Sequence, residues 1–354
     1  MIAGRTRRLL LGAALGLGLL ALFLRGVDGR ALADAFGAAD PLLLAGVALV
    51  TVLTYLARAW RWGYLLSPVV RVPFGRLFSA TAVGFMTGLV IPRAGEVVRP
   101  YLVARRHPVS TAAAFASIIL ERLVDLITVV LLFGLYLYVL PPPASQVTGP
   151  LLGMLKAGGG LAALGALAVL ALLLALHVRA ERALAAADRL LRPVPPRLAR
   201  PLAGALRSFA GGLAVLKASP AHLAAIAGQS LLVWLAIALG LHWNNLAFGL
   251  DLPFHATFLL LGFLTVGVAV PTPGMVGGFH EAYLLALTQA FGVDKHTAAA
   301  AGIAAHAFTN IPVLLLGLLF LGREGLSMGK VAQMSEQEAA RAADSVVPDP
   351  VEAR

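Results

Sequence analysis

The sequence predicts an all-α polytopic membrane helix bundle with six full spans plus two re-entrant helical hairpins, about eight membrane segments in all, forming an inverted repeat. Three observations predict it. The 354 residues are 59% hydrophobic and only 13% charged, about half the charged share that covers a soluble domain, and mean hydropathy is +0.87. Apolar runs recur from Leu9 to Leu321 instead of gathering in one region. Two of those runs are broken by the same glycine and proline spacing, 179 residues apart.

Crossing ~30 Å of hydrocarbon takes about 17–25 helical residues. Six runs meet or approach that length: Leu9–Leu24, Pro41–Trp60, Ala112–Leu140, Gly158–His177, Ala221–Leu246 and Thr297–Leu321. The first also has features of a signal peptide, with Arg5, Arg7 and Arg8 before it and Ala31-Leu32-Ala33 resembling a cleavage site. Its apolar core is long for that role, so a retained helix is expected. Leu77–Ile91 is too short to cross and is broken by Gly84, Gly88 and Pro92. Phe254–Val270 runs into Pro271-Thr-Pro273-Gly274 and a second short apolar stretch, Met275–Phe291.

Charge decides how these segments run. If Leu77–Ile91 turns back with Glu96–Arg106, and Phe254–Phe291 is a hairpin from the opposite side, one face carries the N-terminus, residues 58–110, residues 178–220 and the tail. That face then holds 23 of the 28 Lys and Arg, as the positive-inside bias requires of a cytoplasmic face. A full crossing at Leu77–Ile91 would put the basic 178–220 stretch outside. The sequence thus divides into a membrane domain over 1–325, with repeat units near 41–140 and 221–321, a basic cytoplasmic connector at 178–220 and a disordered cytoplasmic tail at 326–354. The expected location is the cytoplasmic membrane, multi-pass, with both termini cytoplasmic. The net charge of +11 sits in short loops, where it sets topology and meets anionic headgroups, so no nucleic-acid partner is expected.

The repeat is read from Gly88-Leu-Val-Ile-Pro92-Arg-Ala-Gly95 against Gly267-Val-Ala-Val-Pro271-Thr-Pro273-Gly274, with Gly277 following. Inverted repeats with broken helices are built around a substrate site at the repeat interface. Broken backbone at membrane depth has free N–H and C=O groups, which must be buried in protein or line a wet cavity.

Three groups of residues could carry chemistry there. Arg93, Glu96 and Arg99 follow the Pro92 break; Glu96 and Arg99 are i,i+3 neighbours able to pair, and arginine forks suit a phosphate. Glu121, Arg122 and Asp125 lie inside a span, where ionisable groups face a cavity or one another. Arg122 reaches Asp125 at i,i+3, and Glu121 shares its face. His280 and Glu281 open the half-helix after the second break, where free N–H groups attract anions; Glu281 could also carry a proton, and a plain structural cap is the alternative. His306 with Asn310, and His242, Asn244 and Asn245, fit interhelical hydrogen bonding. Trp60, Trp62, Tyr64 and Trp243 fit interface belts. The sequence has no cysteine, which excludes disulfides and thiolate chemistry, and no Walker A, HExxH or GxSxG motif. No cofactor, metal or catalytic residue is expected.

Pro92-Arg-Ala-Gly-Glu96-Val-Val-Arg99, Glu121-Arg122-Leu-Val-Asp125 and Pro271-Thr-Pro-Gly-Met-Val-Gly, in that order, resemble the lysylphosphatidylglycerol synthase transmembrane, flippase-like family across about residues 10–325. The resemblance implies a non-enzymatic protein that moves a phospholipid or lipid-linked headgroup, anionic or zwitterionic, across the membrane without ATP. Members include the membrane half of bacterial synthases; here the sequence stops some thirty residues after the last span, so a stand-alone member without the synthase domain is expected. The family motif places a second glycine where Met275 stands and a glutamate where His280 stands, with Glu281 one later. Two rivals are an intramembrane transferase acting on a lipid phosphate, with Glu121 or Asp125 as base, and an accessory scaffold for a separate envelope-lipid or glycan synthesis enzyme.

Overall fold

The structure, a computed structural model, describes residues 14–92, 94–140, 149–178, 189–191 and 196–323. All regular elements among them are helical: α1 (Ala14–Leu24), α2 (Gly29–Ala38), α3 (Pro41–Leu66), α4 (Phe74–Val90), α5 (Ala94–Ala104), α6 (Thr111–Tyr138), α7 (Gly149–Val178), α8 (Pro196–Gly212), α9 (Pro220–Ala247), α10 (Ala256–Gly267), α11 (Gly278–Leu285) and α12 (Lys295–Arg323). The long helices start where their caps dictate. Asp40 accepts from the N–H groups of Leu42 and Leu43 ahead of Pro41, Ser110 caps α6, and Ser219 caps α9 ahead of Pro220. A side-chain oxygen at the cap satisfies free N–H groups, and proline at the first turn has none to lose.

Four helices are long and apolar enough to cross a membrane: Pro41–Leu66, Gly153–Ala175, Pro220–Ala247 and Lys295–Arg323. Leu161, Leu164 and Leu167 on α7 and Ile311, Leu315 and Leu319 on α12 point outward, a surface only lipid tolerates at that density. The chain is a helical membrane bundle. α6 has the length to cross but holds Glu121, Arg122 and Asp125 at its middle. Of the expected first span, Leu9–Ala13 lie outside the described residues; α1 covers the rest. The 326–354 tail and residues 179–188 and 192–195 of the basic connector also lie outside them. One boundary is corrected: α3 does not end near Trp60 but continues to Leu66. Arg58 and Arg61 are therefore helical and buried, not loop charges, because Ala59, Trp62, Leu65 and Leu66 continue the apolar face.

Both expected breaks are tight helical hairpins. Gly84 and Gly88 of α4 face Gly95 of α5, and the stem of Arg99 lies across Gly84. A side chain at Gly84 or Gly95 would drive the two helices apart. In the second hairpin Gly267 of α10 faces Gly278 and Ala282 of α11. Its turn uses left-handed backbone at Gly274 (φ 65°), Met275 (φ 57°) and Gly277 (φ 86°). Here Gly16 of α1 lies against Thr272 and Val276, and Leu19 against Gly277.

The hairpins open toward opposite ends of the bundle. Seven residues separate α3 from α4, and six separate α5 from α6, so the first hairpin opens at the end where α6 starts. Tyr136, at the other end of α6, packs against His255 and Phe291, which flank the second hairpin. The turn at Pro273–Met275 reaches inward to α4.

Candidate functional site

Six charged side chains meet between α3, α5 and α6. Glu121 is fully buried and receives both terminal nitrogens of Arg99, at 3.0 Å to each carboxylate oxygen. Arg122 Nη2 adds a third bond to Glu121 at 2.9 Å, and Arg61 Nη2 approaches at 3.5 Å. Asp125 accepts from Arg61 Nη1 at 2.6 Å, from Arg58 at 3.4 Å and from the Trp234 indole on α9 at 2.9 Å. Arg122 stands 3.7 Å from Asp125. Arg61 Nη1 also reaches Ser230 Oγ at 2.6 Å. The periodicity of α6 produces this: residues 121, 122 and 125 share one side, and the i,i+3 pair Arg58 and Arg61 faces it from α3.

Four guanidiniums face two carboxylates in direct contact, and the Glu96 carboxylate acts on Arg122 from nearby, so positive charge is in excess by one among the described residues. Aromatic faces absorb part of that excess. Arg99 lies 4.4 Å from the Trp62 ring centre and 5.1 Å from that of Phe85, and Arg58 and Arg122 flank Phe85 at 5.3 and 5.8 Å. Such contacts stabilise a desolvated cation by up to about 2 kcal/mol. Among the described residues, the buried Nε atoms of Arg61, Arg99 and Arg122 have no hydrogen-bond partner. Arg122 is the accessible member, with 39% of its side chain exposed against 3% for Arg99 and none for Arg61.

The sequence-derived site residues divide accordingly. Arg99, Glu121, Arg122 and Asp125 are brought together. Arg99 spends its terminal nitrogens on Glu121 rather than on the Glu96 partner expected one turn away; Glu96 is half-buried in the first turn of α5. Arg93 lies outside the described residues. Arg58, Arg61 and Trp234 are members the sequence reading missed. The available signal was arithmetic: two carboxylates inside a span need more than Arg122 to balance them, and Arg58 and Arg61 are the nearest i,i+3 basic pair on an apolar helix. Trp62 is buried and bonded to Ser117 at 2.9 Å, so it is no interface belt.

His280 and Glu281 are not part of this cluster and do different things. His280 is buried between Phe23 and His306, and its Nδ1 accepts from Gly277 N–H at 3.3 Å. His306 bonds the Gly274 carbonyl at 2.7 Å, so both histidines hold the left-handed turn. Glu281 instead lines a pocket of about 620 Å³ with Arg25, Thr288, Gln289 and Lys295. Asn244, Asn245 and Tyr283 tie α9 to α11 by hydrogen bonds at 2.9 and 2.6 Å, the interhelical role expected of the asparagines.

Apolar crossing helices around a charged interior define a polytopic membrane protein. The chain belongs to the family described as the lysylphosphatidylglycerol synthase TM region, whose model matches residues 9–317. It is also 27% identical over 343 residues to glycosyltransferase AglD of Haloferax volcanii, a match covering 88% of this chain and 54% of that protein. The chain thus spans about half the length of that curated relative.

Proposed function

We propose that the protein moves a phospholipid or lipid-linked headgroup across the cytoplasmic membrane without ATP, and that it is not an enzyme. One observation carries the reading: an arginine-rich cluster with excess positive charge, set about 15 Å into a membrane-length helix, with Arg122 half-open. Excess cationic charge at that depth is costly unless it serves a substrate path, and guanidinium forks match a phosphodiester. In this reading Arg93, Glu96, Arg99, Glu121, Arg122 and Asp125 form the headgroup side. His280 and Glu281 belong to the opposite hairpin, whose pocket receives the headgroup after transfer.

The hairpins are re-entrant halves of an inverted repeat over 41–140 and 221–321, within a membrane domain of residues 1–325. In this reading the basic connector is assigned to the inner-leaflet side, and both termini are cytoplasmic. The opposed openings of the hairpins support this, as does the meeting of the second turn with α4. Alternating access then needs only a difference in headgroup affinity between inward-open and outward-open states.

The relative's name favours one second reading, a role in glycosyl transfer. Its base would be Glu121 or Asp125. Guanidinium and indole donors engage both oxygens of Glu121 and of Asp125, which leaves neither aimed at a substrate proton.

The test uses the purified chain in proteoliposomes with a fluorescent-headgroup phospholipid and an impermeant quencher. Transport lowers the protected signal below the inner-leaflet share retained by empty vesicles, with the lipid chemically unchanged. A modified lipid without translocation would instead establish the transferase, and neither result would leave a scaffold.

A further inference from the structure

An apolar groove of about 470 Å³ runs along the outside of the bundle between α3 and α12. Ala48 and Val52 form one wall; Phe308, Ile311, Pro312 and Leu315 form most of the other. On α12 it extends from Ala307 to Leu319, twelve residues or ~18 Å, more than half of the ~30 Å hydrocarbon depth. Its α3 wall leads into the charge cluster. Tyr55, three residues beyond Val52, meets Phe85 edge-on at 4.9 Å, and Phe85 is the ring flanked by Arg58, Arg99 and Arg122. Beyond the groove, Tyr55 and Phe85 thus form a chain of contacts toward Arg122, the half-exposed guanidinium of the cluster.

We propose that this groove holds one acyl chain of an anionic phospholipid whose phosphodiester rests on Arg122 beside Tyr55. The assignment rests on the reading of the arginine cluster as the headgroup site, and adds the tail's location to it. Three features select this occupant. The groove wall is hydrocarbon, so an alkyl chain enters without desolvating a polar group. The excess positive charge of the cluster calls for an anion, which a second apolar helix packed in the groove would not supply. Tyr55 and Phe85 lie between the groove's α3 wall and Arg122, so one molecule can span the two sites.

The experiment uses the full chain in vesicles of phosphatidylcholine and phosphatidylglycerol, doped with either lipid carrying a diazirine on one acyl chain. After irradiation, mass spectrometry maps the adducts. The phosphatidylglycerol probe should mark residues 48–52 and 307–319 about tenfold more than the phosphatidylcholine probe, the share of one charge-assisted hydrogen bond. Arg122→Gln should remove that preference. Leu315→Trp, at a residue 61% exposed and so tolerant of change, should abolish groove adducts while leaving those on α7 unaltered. Adducts spread evenly over α7 and α12, equal marking by the two probes, or a chain-to-chain crosslink at 307–319 in place of lipid would each overturn the proposal. Transport measured on the same vesicles separates the two failures. Selective adducts in a protein that moves no lipid uphold the chain site and end the transport reading; transport with even adducts does the reverse.

Discussion

At the scale of single residues, Arg61 and Arg122 belong to one network yet answer to different demands. Arg61 is completely buried and bridges Asp125, Ser230 and Glu121. Arg61→Leu removes the shortest ion pair of buried Asp125 and the partner of Ser230, a loss of about 3–5 kcal/mol, and should lower the thermal midpoint of the detergent-solubilised protein sharply. Arg122 keeps 39% of its side chain exposed, so Arg122→Ala should cost less than Arg61→Leu while abolishing lipid movement in proteoliposomes. A stable, inactive Arg122 variant beside an unstable Arg61 variant is the expected pair; the reverse ordering would detach the cluster from function. The contrast also shows what the sequence concealed. Glu121, Arg122 and Asp125 stand together on one helix and were legible from spacing alone. Arg58 and Arg61 lie more than sixty residues away in the chain, at the end of an apolar run, where charge normally signals a loop. Met275 offers a second test. Its backbone is left-handed at φ 57°, where the family motif has glycine and an L side chain costs about 1–2 kcal/mol. Met275→Gly should hold or raise stability, and the β-branched Met275→Ile should lower it by at least about 1 kcal/mol.

At the scale of elements, the hairpins were the most legible feature, because their glycines are geometric necessities. Gly84 gives space to the stem of Arg99 and Gly95 to the backbone of α4, so Gly84→Val must separate α4 from α5 and pull Arg99 from Glu121. The expected outcome is a loss of about 1–3 kcal/mol together with lost transport. Gly75, at the exposed start of α4 with open space around it, should accept alanine with little effect or a gain of up to about 1 kcal/mol. Equal effects at the two positions would contradict the packing. The roles of His280 and Glu281 were not legible, since adjacent residues on a half-helix point to different neighbours and only the packing of α1 and α12 assigns them. Helix ends follow simpler rules. The Asp294 carboxylate accepts from the N–H groups of Thr297 and His296, which holds it below the usual carboxylate range. Its folded form thus favours ionisation, so its contribution is present above the unfolded value near 4 and fades as pH falls through the lower folded one. Asp294→Ala should cost about 1 kcal/mol at neutral pH, and the gap to wild type should close in acid.

At the scale of the whole molecule, the charge argument for topology survives a correction to its inputs. Of the 23 Lys and Arg assigned to the inner face, Arg58, Arg61 and Arg99 are buried in the network, which removes them from the tally without moving any to the outside. The exposed residues Arg71, Arg76, Arg105 and Arg106 remain on the face where α4 starts and α5 ends. That face should be cytoplasmic, and the open end of the second hairpin should be external. The chain has no cysteine of its own, so single replacements report cleanly. Arg71→Cys and Arg105→Cys flank the first hairpin; Asp251→Cys and Gln289→Cys flank the second. In sealed right-side-out vesicles an impermeant maleimide should label Asp251→Cys and Gln289→Cys at once, and Arg71→Cys and Arg105→Cys only after the membrane is opened. If Arg71→Cys and Arg105→Cys label from different sides, α4 and α5 together cross the bilayer and everything after them inverts. The two hairpins would then open to the same compartment, and a path joining the Arg122 site to the Glu281 pocket would no longer connect two sides of a membrane.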